Sequence, residues 1–373
     1  MYCKRAAVKS FRNIKEADVG FERGVNVLVG ENAQGKTNLL EAIFYASVGR
    51  SFRASNTSEM IAFGEKSAEI TLEYLCDGKQ RTDTLDFKFY TDKKKTVEKN
   101  HLRIERMSDI VGSFRAVLFC PEHLSLIKDG PSERRSYLDI AISRISPKYM
   151  HSLQRYAYFL KQRNALIKAA YSNRAAFDAT VELWSEKLAE ESAVIAEMRL
   201  KFLERVSSLV ANYFTEMTGE REHTDMYYRG SAGLEGDAYL DKNAVKEKYL
   251  SLLMSSHDRE ISAGATLYGV HKDDVDIRIN GKQARSFASQ GQQRSLALAM
   301  KLAEGEICKE EFGDYPVFLF DDVLSELDET RRDYMLLHST NKQVIITTCE
   351  SEFLEKMNAQ KRIEVKNGTY TEL

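Results

Sequence analysis

The pattern of apolar and polar positions divides this chain into strand-like ends and a long helix-like middle. Residues 2 to 30 read as β-strands broken at Gly20 and Gly24, and residues 68 to 104 as further strands around the turn Cys76-Asp77-Gly78-Lys79. Lys93-Lys94-Lys95 reads as a hairpin tip. All four prolines (Pro121, Pro131, Pro147, Pro316) lie outside 148 to 315, which leaves that region free to be helical. Within it Trp184, Leu188, Ile195, Met198, Phe202, Val206, Leu209, Tyr213 and Met217 step by three, four or seven residues. That spacing predicts one helix stripe about 34 residues long, roughly 50 Å, and a stripe of this kind is core or interhelix seam. With the basic helix preceding it, it predicts an antiparallel helical arm. After Gly219 the pattern is irregular, and Gly230, Gly233 and Gly236 mark a loop before a short helix near 242 to 256. No internal repeat or low-complexity tract is visible.

Two short apolar runs carry chemistry at their ends. Val25, Val27, Leu28 and Val29 form a strand-like run, followed by GENAQGKT at 30 to 37 and by the helix-like run Asn38 to Ile43. The octapeptide fits G-x-x-x-x-G-K-[ST], with Gly30, Gly35, Lys36 and Thr37 in the required places. A strand before and a helix after are what such a loop needs, because it works by aiming backbone N–H groups and a helix N-terminus at phosphates. Glu31, Asn32, Ala33, Gln34 and Asn38 complete the expected cradle, Lys36 reaches the β and γ oxygens, and the Thr37 hydroxyl suits a magnesium ion. The second run, Val317 to Phe320, reads as a fully buried central strand with Asp321 and Asp322 at its C-terminal end. Adjacent acids there are costly without a cation; Asp321 would hold magnesium and Asp322 would orient and polarise the attacking water. Just upstream, Ser289-Gln290-Gly291-Gln292-Gln293 precedes an amphipathic run from Arg294 to Glu304, a helix start that offers a hydroxyl, a Gly N–H and a positive dipole end to an anion.

In that order the motifs resemble the ABC-type ATPase heads of the SMC and RecF group, with SQGQQ as the signature helix, Asp321-Asp322 as Walker B and SELD (325 to 328) as the D-loop. KSFRN at 9 to 13, CPEHLSLIKDGPSERRSYLD at 120 to 139 and YGVHKDDVDI at 268 to 277 extend the resemblance over nearly the whole chain. It implies an α/β fold, an ABC-type P-loop ATPase head with a mixed sheet, interrupted by an inserted α-helical arm. Residues 1–130 with 260–373 are expected to form the discontinuous ATPase domain and 131–259 the insertion. The resemblance further implies ATP and Mg2+ as cofactors, Arg12 and Asn13 near the nucleotide, and a two-fold dimer in which Ser289, Gly291 and Gln292 act in trans on a nucleotide held by the partner's Lys36. It connects such heads to DNA at gaps and stalled replication, and to loading of the RecA recombinase with RecO and RecR. Four positions depart from the expected pattern. Val270 stands where a Pro is expected, Thr347-Thr348-Cys349 where transporters place a γ-phosphate His, and Asp322 where transporters have Glu, which suits slow hydrolysis. No obvious glutamine for magnesium stands near 115 to 125, where Glu122 is a candidate in its place. A transporter ATPase would keep the His and hold its motifs closer together; an ATPase guard of a nuclease would need an acidic nuclease domain after Leu373.

Composition narrows the picture further. With 373 residues, 43% hydrophobic and 29% charged, the chain can bury a sizeable core. No apolar stretch approaches a membrane-spanning length of ~18 residues and the start reads as a strand, so a cytoplasmic protein is expected. Cys3, Cys76, Cys120, Cys308 and Cys349 are scattered and never in C-x-x-C spacing, which predicts reduced thiols; magnesium is the only metal inferred. A net charge of −2 does not announce a nucleic-acid partner, but between Pro131 and Phe177 nine Lys/Arg face only Glu133 and Asp139, a local net of +7. Lys148 with Arg155, and Lys161 with Lys168, recur at seven-residue spacing on common helix faces, with Tyr149, Tyr156, Tyr158 and Phe159 interleaved; these four basic residues are the candidates for DNA phosphate contact.

Overall fold

A computed structural model describes residues 1–54, 56–76, 81–349 and 359–373. Of the turn expected at Cys76-Asp77-Gly78-Lys79, the last three residues lie outside the described ones. The chain forms two compact units: unit 1 is Met1–Leu124, Glu216–Gly219 and Gln290–Leu373, and unit 2 is Ser125–Thr215 and Glu220–Ser289. In chain order, unit 1 begins with β1 (Tyr2–Phe11), β2 (Ile14–Gly20), β3 (Val25–Val29), α1 (Lys36–Val48), β4 (Ser67–Leu75), β5 (Asp83–Tyr90), β6 (Thr96–Lys99), β7 (Leu102–Arg103) and β8 (Ala116–Phe119). Unit 2 contributes α2 (Ser125–Lys128), α3 (Pro131–Ile145), α4 (Pro147–Ala169), α5 (Arg174–Met217), β9 (Thr224–Arg229), α6 (Lys242–Ser255), α7 (His257–Ala263), β10 (Asp274–Ile279), β11 (Lys282–Gln283) and α8 (Ala284–Phe287). The final two residues of α5 count with unit 1. Unit 1 resumes with α9 (Gln290–Phe312), β12 (Val317–Asp321), α10 (Glu329–Leu337), β13 (Val344–Thr348), β14 (Lys361–Lys366) and β15 (Thr369–Glu372).

Unit 1 holds two six-stranded sheets, ordered β2-β1-β4-β5-β6-β7 and β15-β14-β3-β13-β12-β8. The first is antiparallel throughout. In the second, β14, β3, β13, β12 and β8 run parallel and only the edge strand β15 is antiparallel. Every residue of β8, β12 and β13 is buried, as parallel strands covered on both faces require, whereas β4 alternates half-buried with buried positions. Helix α1 packs against β1 and β4 of the first sheet and β8, β12 and β13 of the second. This two-sided burial explains why residues Leu39 to Ser47 are buried all round, with Glu41 among them. At the expected hairpin tip between β5 and β6, Lys93 and Lys94 are exposed but Lys95 turns inward, its Nζ donating to Tyr45 Oη at 2.6 Å. Burial lowers the pKa of that ammonium.

In unit 2, α4 and α5 run antiparallel. Arg163 Nε donates to Ser185 Oγ (2.9 Å), Arg155 pairs with Glu191 (2.7 Å) and Arg199 Nε donates to Tyr149 Oη (2.9 Å), so positions advance along one helix as they retreat along the other. The predicted stripe lies on α5, which is 44 residues long. Leu188, Ile195, Phe202 and Val206 are buried, while Trp184 at its head is only half-buried. Unit 2 also contains a three-stranded sheet, ordered β11-β10-β9, that the irregular pattern after Gly219 does not announce. Its strands bury Thr224, Met226 and Tyr228 on one side and Val275, Ile277 and Ile279 beside them. Through β10 the segment after 260 is bound into unit 2, where Arg134 of α3 grips Asp274 with two hydrogen bonds (2.7 and 3.0 Å). Unit 1 therefore resumes at Gln290.

Candidate functional site

The C-terminal ends of three parallel strands of unit 1 meet at one cleft of about 380 Å³, lined by Asn13, Asn32 to Asn38, Arg53, Asp322 and Thr347. Open α/β sheets place ligands at this end. After β3 the chain turns through Gly30, where a side chain would run into the Val365 carbonyl oxygen, and reaches α1 at Gly35, whose φ of 116° is left-handed. Gly35 at the N-cap has no side chain with which to cap α1, which leaves first-turn N–H groups suited to an anion. Lys36 is only 5% exposed and its Nζ donates to the Gly30 and Glu31 carbonyls, the latter at 2.8 Å, folding the ammonium back over the loop.

Beneath the loop the acids are held by hydroxyls. Thr37 Oγ1 donates to Asp321 Oδ1 at 2.9 Å, and Thr347 Oγ1 donates to the same oxygen at 2.7 Å. The Thr347 hydroxyl also accepts from the Asp322 N–H (2.9 Å). Burial raises the pKa of Asp321 against the lowering effect of these two hydroxyls, and the nearby charges of Glu122 and Asp322 raise it further. Asp322 adopts φ 51°, a left-handed conformation that Asp tolerates, and lines the cleft; burial raises its pKa while the Lys36 charge opposes the rise. A hydroxyl and a carboxylate 2.9 Å apart are hard oxygen donors suited to magnesium, and the uncapped helix with Lys36 suits a polyphosphate, so the donor set fits Mg-ATP.

Arg12 and Asn13 brace this loop. Asn13 Nδ2 donates to the Ala33 carbonyl (2.8 Å) and its Oδ1 accepts from Asn38 (2.6 Å). Arg12 instead forms a two-pronged pair with buried Glu41 (3.0 and 2.8 Å), which also accepts from Ser51, and Arg53 reaches Asn38 Oδ1 at 2.9 Å. No motif marks Glu41, Ser51 or Arg53 as site residues, and Thr347 enters the sequence pattern only within the segment that replaces a transporter His; a Glu on the apolar second turn of the P-loop helix is the signal that an arginine partner is needed. Where a transporter His would stand, Cys349 approaches Lys36 Nζ (3.4 Å) and Asn32 Oδ1 (2.9 Å). Glu122 is exposed, just past the end of β8. Val270 is buried, and its carbonyl accepts from Arg199 (2.8 Å).

The signature segment begins α9, which starts at Gln290 immediately after the exposed Ser289. Gly291 and Gln292 do not line the cleft around Lys36. The first turns of α9 are tied instead to the D-loop and α10: Arg331 of α10 donates to Ser295 Oγ (2.7 Å) and lies against Gly291, Arg294 pairs with Glu326 (2.7 Å), and within the D-loop Ser325 donates to the Asp322 carbonyl (2.9 Å).

Burial and pairing change the basic run of unit 2. Arg134, Arg144 and Arg163 are buried, Arg163 in an ion pair with Glu260 (2.6 Å) in which both side chains are fully inaccessible. Arg174 meets Asp178 and Asp258, and Arg155 meets Glu191. Acids outside the counted run therefore offset much of the local +7. Lys148, Arg155, Lys161 and Lys168 are all exposed on α4, whereas the interleaved Tyr149 and Tyr156 are buried.

The family described as RecF/RecN/SMC N terminal domain matches residues 2–371. The DNA replication and repair protein RecF of Ruminiclostridium cellulolyticum is 38% identical over 352 residues, 94% of this chain and 94% of that protein. The solved structure of the recombination mediator protein RecF with ATPrS, in the RecFOR pathway, is similar with a TM-score of 0.92 and 36% identity, covering 100% of this chain and 98% of that one. The corresponding structure of RecF with ATP gives 0.87 and 35%, covering 100% and 99%.

Proposed function

The chain belongs to the RecF/RecN/SMC N-terminal domain family and has its ABC-type ATPase head fold, and on that premise we propose that it is an ATP-switched DNA-binding protein of replication and recombinational repair. The observation that carries this reading is the Thr37 hydroxyl 2.9 Å from Asp321 beneath a P-loop, with Asp322 on the same cleft wall. Residues 30 to 38 would cradle ATP with Lys36 against its terminal phosphates, and Thr37 and Asp321 would hold Mg2+, which when bound would neutralise charge on the phosphate oxygens. Asp322 orients water and polarises it through its carboxylate.

The cleft lacks Gly291 and Gln292, which accords with a site completed by Ser289, Gly291 and Gln292 of a second copy. ATP then favours a homodimer by mass action, and slow, DNA-stimulated hydrolysis ends that state. The dimer binds gapped or duplex DNA, with Lys148, Arg155, Lys161 and Lys168 as phosphate contacts, and assists RecA loading with RecO and RecR in the cytoplasm.

Asp322→Asn tests the switch. An amide fills the same space but cannot polarise water as a carboxylate does, so ATP binding by calorimetry should persist, turnover should fall below detection and the ATP-dependent dimer should accumulate in light scattering. Turnover at the wild-type rate would remove Asp322 from the chemistry.

A further inference from the structure

Three aromatic rings gather on the outside of unit 2 where the α5 stripe was expected to enter the core. Tyr158 and Phe159 of α4 have ring centroids 5.7 Å apart, and Trp184 of α5 stands 6.2 Å from each. Tyr158 is 54% exposed, and Phe159 and Trp184 are half-buried. The rings therefore pack on one another and leave one flank in water. Exposed aromatic surface is costly for a soluble protein, and a cluster of it marks a binding surface.

The flanking charges select the occupant. Arg155 lies three residues before Tyr158 and Lys161 three after it, and Lys187 lies three after Trp184, spacings that put all three cations beside the rings. Arg155 and Lys187 have acidic neighbours in Glu191 and Glu190, but Lys161 is exposed on the same helix as the exposed Lys148 and Lys168. Rings bordered by cations match a strand whose bases are free to stack while its phosphates run alongside. A duplex keeps its base faces stacked inside.

We propose that Tyr158, Phe159 and Trp184 form a stacking platform for unpaired nucleobases, by which this chain recognises the single-stranded side of a gap. The inference rests on the DNA-binding reading above. The sole tryptophan of the chain is Trp184, so its emission reports directly on the platform.

Full-length protein is titrated with a short oligothymidylate and, separately, with a blunt duplex at equal phosphate concentration. Tryptophan emission should be quenched by the single strand and not by the duplex. Tyr158→Ala should weaken oligothymidylate binding, followed by anisotropy of a labelled strand, by roughly 5- to 100-fold. Duplex affinity and ATP turnover should be unchanged, and Trp184→Phe, which keeps a ring, should bind like the wild type. Binding of the labelled strand with unmoved emission would overturn the platform, and this wild-type readout does not depend on any variant folding. A Tyr158→Ala variant that changes oligomeric mass but not strand affinity would also overturn it, assigning the rings to a protein contact. If neither strand nor duplex binds at all, the DNA reading itself fails.

Discussion

Thr347 is the side chain through which the two Walker B acids are held together. It sits on β13, between β3 with its phosphate loop and β12 with its acids, so its hydroxyl can donate to Asp321 and accept from the Asp322 N–H at once. Thr347→Val keeps the shape but removes both bonds and strands a partly buried N–H. That should cost about 1–3 kcal/mol of stability, read as a lower urea midpoint at an unchanged slope, together with slower ATP turnover. A variant with the wild-type midpoint would mean that the hydroxyl is dispensable. The phosphate loop is legible in the sequence because its groups are contiguous and its geometry is local. Thr347 and the Arg12–Glu41 pair are not, because their roles arise only from which strands lie side by side and from a helix buried against two sheets.

At the scale of elements, the strand around Val317 and the helix stripe of α5 follow from local pattern, whereas β9 does not. Its alternation of Thr224, Met226 and Tyr228 with Asp225, Tyr227 and Arg229 is three repeats long, includes half-polar residues and gains its partner only from β10, far along the chain. What anchors β10 is the segment before it. His271 accepts from Tyr156 Oη of α4 at Nδ1, and its Nε2–H donates to the Thr266 carbonyl (3.2 Å), so the neutral ring satisfies both nitrogens. Burial holds its pKa down to about 4, and the charges of Lys272, Arg135 and Arg163 add to the lowering. An unfolded chain takes up that proton near pH 6.5 and the folded one only near 4, so the stability it contributes is complete above 6.5 and lost as pH falls between those values. The difference amounts to about 3 kcal/mol. His271→Gln should flatten the fall in melting stability between pH 7 and 4.5 relative to the wild type. Buried Asp273, whose pKa is raised, acts with the opposite sign but is present in both proteins and cancels in the comparison. Parallel pH profiles would show that His271 is not the titrating group.

For the whole molecule, charge is where sequence and structure diverge most, because a run of nine cations is a count along the chain while a potential depends on what folds beside them. Pairing removes Arg134, Arg155, Arg163 and Arg174 from an unopposed field, and the exposed lysines of α4 remain. The informative variant is therefore Lys148→Gln, Lys161→Gln and Lys168→Gln together, with Arg155 kept. Its loss would leave Glu191, whose Oε2 already has no partner among the described residues, without its cation. If ATP joins two copies, each lysine acts twice and the pair binds one DNA more tightly than either copy alone. The triple variant should then weaken duplex binding across sequences and flatten the dependence of log affinity on log salt by up to ~0.9 per lost phosphate contact, more strongly with ATP than without. ATP affinity should not change, because no side chain of the nucleotide cleft is altered. A salt slope equal to the wild type in the presence of ATP would show that these lysines are only a solvated helix face, and would move the DNA contacts to other cations of the chain.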